Sequence, residues 1–134
     1  MSDAGSGLDM GAVVKGAAIT IAVTAGPITA ARLGMGSQFE EALEKAWVVV
    51  VLALFWAFAV GGYAAARMRT TAPYRHAAAS AGIAFTAFFV FTVVRRLVTG
   101  DGLTVPLVVT MAVLGQVSVS FALLGGYVAW RQSR

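Results

Sequence analysis

Four long apolar runs, at about 11–31, 46–66, 77–94 and 105–130, alternate with short polar segments along the chain. Each run is continuous and close to the roughly 20 residues that carry a helix across a bilayer core. Strands of a membrane barrel would instead alternate in character over about 10 residues. The pattern therefore predicts an all-α, polytopic membrane protein with four transmembrane helices. The first run is the least apolar, holding Lys15, Thr20, Thr24, Thr29 and Pro27, and a cleaved signal or an anchor is its competing reading. Residues 1–10 are small and polar, with Asp3 and Asp9 where a signal would carry positive charge. They predict a disordered N-terminal tail ahead of a single four-helix domain at 11–134.

The polar segments carry start and stop signals. Ser37 and Glu40 have the spacing of a capping box, so helix is expected to begin outside the bilayer before the second run. Glu41 and Lys45 stand four apart in the stabilising order. Glu40, Glu41 and Glu44 read as a solvated helix collar, with a cation-binding vestibule as the alternative. A basic loop broken by Pro73 is predicted over 67–76, with His76 as a solvated interfacial residue. Arg95 and Arg96 are expected to stop the third helix. A tight turn at Thr99-Gly100-Asp101-Gly102 follows, and Thr104 with Pro106 marks the start of the fourth helix.

Two short stretches are nearly copies: Gly61-Gly62-Tyr63-Ala64-Ala65-Ala66-Arg67 and Gly125-Gly126-Tyr127-Val128-Ala129-Trp130-Arg131. Each closes an apolar run. Laying residues 7–70 over 71–134 at an offset of 64, without a gap, gives twelve identities, including Arg32/Arg96, Leu33/Leu97, Gly36/Gly100 and Leu43/Leu107. This reads as an internal repeat of two-helix units, about 11–70 and 75–134. It also favours the first run as a true span, since that run pairs with the internal third one. Two spans per unit give both units one orientation, related by an axis along the membrane normal as in parallel repeats.

The repeated G-G-Y-x-A-x-R at the ends of the second and fourth helices resembles a pattern in small uncharacterised four-helix bacterial membrane proteins. The resemblance covers the helix count and residues 61–67 and 125–131, and implies four helices without implying a function. The hallmark of a small multidrug transporter, a central glutamate in the first helix, is replaced here by Thr20 and Thr24.

Composition agrees with the pattern. Hydrophobic residues make up 59%, charged residues 12%, and mean hydropathy is +0.82, more apolar surface than a water-soluble chain of 134 residues could hide. Cysteine is absent, which removes disulfides, thiolate metal sites and cysteine nucleophiles. The net charge of +4 sits on residues that flank apolar runs, pointing to topology and anionic lipid headgroups rather than nucleic acid. Arg67, Arg69, Arg75, Arg131 and Arg134, with Lys15 in snorkelling reach, face Arg32, Lys45, Arg95 and Arg96 across the bilayer. The larger set predicts both termini in the cytoplasm, in a multi-pass protein of the cell membrane.

Candidate chemistry is sparse. Intramembrane ionisable residues are the usual sign of coupled transport, and all six acidic residues lie outside the apolar runs. Gly26-Pro27 reads as a kink or close contact, with a bound substrate as the alternative. No catalytic residue, metal or cofactor is expected. The small residues Ala18, Ala22, Gly26 and Ala30, like Ala53, Ala57, Gly61 and Ala65, recur at four-residue intervals and predict close helix packing, together with Gly62, Gly125 and Gly126. Tyr63, Tyr127, Trp47 and Trp130, with Arg67, Arg69, Arg75 and Arg131, are expected at the interfaces and headgroups. Thr20, Thr24, Gln116, Ser118 and Ser120 are candidates for a polar network, Gln116 in an interhelical hydrogen bond or on a pore wall. The expected function is non-enzymatic and structural or accessory: packing into a homo-oligomer or a larger membrane complex. An oligomeric channel, holin-like pore or small transporter is the alternative.

Overall fold

A computed structural model of the chain describes residues 7–68 and 72–134. All regular structure among them is helical: α1 (Met10–Met35), α2 (Phe39–Lys45), α3 (Trp47–Arg67), α4 (Pro73–Thr99) and α5 (Val105–Gln132). Four helices are long and apolar enough to cross a membrane, the first of these spans continuing from α1 through a short 3-10 turn, Gly36–Gln38, into α2. The protein is thus an all-helical, multi-pass membrane protein.

Local chemistry sets the helix ends. Asp9 caps α1, its carboxylate accepting from the amides of Gly11 at 2.8 Å and Ala12 at 3.2 Å. Residues 7–9, part of the expected tail, therefore lead directly into helix. The capping box at Ser37 and Glu40 is not formed: α2 starts after Gln38, which makes no side-chain cap bond. Glu41 and Lys45 do pair, at 2.6 Å on an exposed face. Arg95 and Arg96 do not stop α4. They mark where the apolar span ends, while the helix runs on to Thr99, where Gly100 turns left-handed at φ 78° and donates to the Arg96 carbonyl. At its other end α4 starts at Pro73, so the expected loop is shorter and Arg75 and His76 are helical. α5 begins at Val105 behind an extended Thr104, with Pro106 in its first turn.

Contacts fix the helix directions. Phe55 stacks on Phe121 with ring centroids 5.0 Å apart, and the Tyr63 hydroxyl bonds Gln132. α3 and α5 therefore run the same way. α1 and α4 also share a direction, Asp9 meeting His76 while Gly16 faces Ser80. α3 packs against α1, α4 and α5, and α4 also packs against α1 and α5, but α1 does not reach α5.

Burial divides the bundle across its length. Apart from Phe39, every buried residue belongs to one half: the first part of α1 and α4, and the last part of α3 and α5. That closed half is Ala-, Gly- and Ser-rich around Phe58. The other half is open, with Leu33, Trp47, Leu52, Trp56, Phe91 and Val98 all exposed.

Candidate functional site

The closed half is assembled from glycine. A Cβ added at Gly62 would run into the backbone of Ala122, and one at Gly125 into the backbone of Ala59 and Tyr63. These two glycines let α3 and α5 touch main chain to main chain. At Gly61 the obstacle is Thr20 on α1. At Gly16 it is Ala65 Cβ at 2.6 Å, Ser80 Oγ at 2.7 Å and the Gly61 carbonyl at 2.8 Å. Gly126 faces Ala77 of α4, whose Cβ would lie 2.9 Å from an added one. The paired glycines thus point each helix at two neighbours at once. Of the other residues expected to pack, Ala18, Ala22 and Gly26 lie on an exposed face of α1, and nothing stands within 4 Å of a Cβ built on Gly26. The buried stripe of α1 is Ala12, Val13, Gly16, Ala17 and Thr20.

His76 is not solvated. It is 1% exposed, and its Nε2 accepts the Asp9 amide at 3.0 Å while Nδ1 donates to the Ala72 carbonyl at 3.0 Å. Ala72 adopts a left-handed conformation at φ 54° ahead of α4, which turns its carbonyl toward the ring. One imidazole therefore satisfies the amide ahead of α1 and is held by a carbonyl that also accepts from the Arg75 amide at 3.1 Å, joining α1 to α4. The sequence hid this because Asp9 is 67 residues away.

Around the same end runs an aromatic and basic rim. Arg67 donates to the Tyr63 hydroxyl at 2.8 Å, and that hydroxyl donates to Gln132 Oε1 at 2.7 Å. Arg134 stacks 3.9 Å over the Trp130 ring, which also contacts Tyr74 and Tyr127. Arg75 and Arg131 are exposed; Arg69 lies outside the described residues. Trp47 stands exposed at the opposite end. Among the described residues the two ends differ in charge. Lys15, Arg67, Arg75, Arg131 and Arg134 against Asp9 leave +4 at the closed end. Arg32, Lys45, Arg95 and Arg96 against Glu40, Glu41, Glu44 and Asp101 leave zero at the open end.

The mid-span hydroxyls and amide do not form one network. Thr20, Thr24 and Ser120 each donate to the carbonyl four residues back on their own helix. Ser118 is buried with its hydroxyl unpartnered, as is Ser80. Gln116 is exposed on the outer face of α5, and no described hydrogen bond involves its amide. Among the described residues no group of three His, Asp or Glu side chains could hold a metal ion.

Comparison with protein-family models, with curated proteins and with solved structures finds no match for the chain.

Proposed function

We propose that the protein is a non-enzymatic structural or accessory component of a membrane, acting through helix packing with itself or with a larger membrane complex. The observation that carries this reading is the outer surface: an unpartnered amide, Gln116, and the small-residue face Ala18, Ala22, Gly26 are turned away from the bundle. Membrane helices associate through small residues and interhelical hydrogen bonds, because lipid supplies no hydrophobic drive between them. A pore through a single bundle is disfavoured, since Phe58, Ala81, Ala84 and Ala122 occupy the middle of the closed half.

Tandem two-helix repeats in parallel orientation are part of the same reading. Buried Ala12, Val13, Gly16, Ala17 and Thr20 on α1 each have a buried counterpart 64 residues on, at His76, Ala77, Ser80, Ala81 and Ala84. Phe58, Gly61, Gly62 and Ala65 pair in the same way with Ala122, Gly125, Gly126 and Ala129. The relation departs from an exact two-fold where α3 touches α4 and α1 does not touch α5. Placing the +4 end in the cytoplasm, against anionic headgroups, sets both termini there.

Purification of the tagged chain from its own membranes in mild detergent tests the association. A fixed stoichiometric partner or a defined homo-oligomer is expected, and ion or solute flux in liposomes would replace this reading with the permeation one. Orientation is read separately, from single cysteines at Ser37, Asp101 and Ser133 in this cysteine-free chain. A membrane-impermeant thiol reagent is expected to label Ser37→Cys and Asp101→Cys in intact cells and to spare Ser133→Cys.

A further inference from the structure

Gln116 stands eleven residues from Val105 and eleven from Tyr127, which places it about 16 Å from each end of the apolar part of α5. It is the most polar group at that depth, it faces outward, and its amide has no described partner. Hydrocarbon offers nothing to hydrogen-bond such a group. Val109, Val113, Gln116, Ser120, Leu124 and Tyr127 follow one another at steps of three or four residues and are all exposed. That spacing makes a continuous seam along one helix face, of the kind in which a single polar residue sets register and partner number.

From this placement we propose that α5 is the contact face of a parallel homodimer, with Gln116 paired to Gln116 of a second copy across a two-fold axis along the membrane normal. The proposal rests on the association reading above and names its partner. A carboxamide is both donor and acceptor, so two identical amides on an axis satisfy each other. A second copy also guarantees the register, since each chain brings its amide to the same depth. The +4 at one end gives every copy one direction of insertion, which makes the pair parallel. Area allows it. Of the 8740 Å² that the chain exposes, a standard interface would cover roughly 800 Å² per partner.

The chain's lack of cysteine makes the test direct. Ser120→Cys and Val113→Cys, oxidised in phosphatidylcholine–phosphatidylglycerol vesicles, are expected to give disulfide-linked dimers, while Ala18→Cys on the exposed face of α1 stays monomeric. Gln116→Leu, labelled for energy transfer in the same vesicles, is expected to dissociate about tenfold more readily than the parent. Its helical circular dichroism should be unchanged, because the residue is external. Unaltered association of Gln116→Leu overturns the proposal. So does cross-linking of Ala18→Cys alone, which would move the interface to α1 and leave the association reading standing. Monomers throughout, with no partner in native membranes, would overturn both.

Discussion

The closed and open halves of the bundle are made by the same four helices under the same solvent, yet one is fused to backbone contact and the other is splayed. The difference is side-chain size. Around the closed end the facing positions are Gly16, Gly61, Gly62, Ala65, Ala77, Ser80, Gly125 and Gly126, and the helices approach until main chains touch. Where the closed half passes into the open one, contact shifts to rings: Phe55 on Phe121, Phe58 near Phe88 at 6.3 Å, and Phe85 over Gly115. Lipid is as apolar as Leu or Phe, so large side chains gain little by leaving it, whereas small ones allow close backbone packing. In water the Phe-rich half would close first; in a bilayer the Gly-rich half does.

The harshest way to break this contrast is to fill the glycines. Gly62→Leu and Gly125→Leu should each cost about 3 kcal/mol or more, because the added carbons meet main chain that cannot rotate away. Gly→Ala at the same positions should still cost about 1–3 kcal/mol. Thermal unfolding in detergent reads both. If these glycines served as a hinge, the Ala variants would instead gain stability. Next in size is His76→Ala, expected to lose about 2–3 kcal/mol by orphaning the Asp9 amide and leaving a cavity, while the Ala72 carbonyl keeps the Arg75 amide. Hydrogen exchange should show the first turns of α1 and α4 opening together. In the outer faces the sign reverses. Gly82 has nothing within 4 Å of an added Cβ, so Gly82→Ala should raise stability by about 0.5–1 kcal/mol. The smallest effect is expected at Ser118, whose buried hydroxyl has no partner. Ser118→Ala should fall within about 0.5 kcal/mol of the parent, on the stable side; a clear loss would reveal a bond to water or lipid there.

Much of the architecture is legible in the sequence because span length and turn chemistry are local. The four spans, the Gly100 and Gly102 turn and the start of α5 follow from runs of neighbours. Helix ends are less legible: apolar character stops at Arg95, but backbone helix needs only a permissive chain and continues to Thr99. The tight seam is marked by the doubled glycines, though not which neighbour each one meets. The face that α1 buries is less legible, since Ala18-Ala22-Gly26 and Ala12-Gly16-Thr20 are both small-residue ladders, and only the partner helices choose between them. The His76 clasp is not legible in the sequence, because its partner is a backbone amide, and every residue but proline has one.

That clasp has a consequence for the order in which the bundle is made. The Asp9 amide must wait for a histidine encoded 67 residues later, roughly 3–13 s of synthesis at typical ribosome speeds. Before α4 emerges from the ribosome, α1 and α3 can insert and pair through Gly16, Thr20 and Gly61, with the start of α1 still untethered. Only when α4 enters can His76 accept the Asp9 amide and tie that start to the bundle. The imidazole is therefore a late latch of biogenesis: in a ribosome-stalled chain ending before α4, the Asp9 amide should exchange its hydrogen faster than in the finished protein.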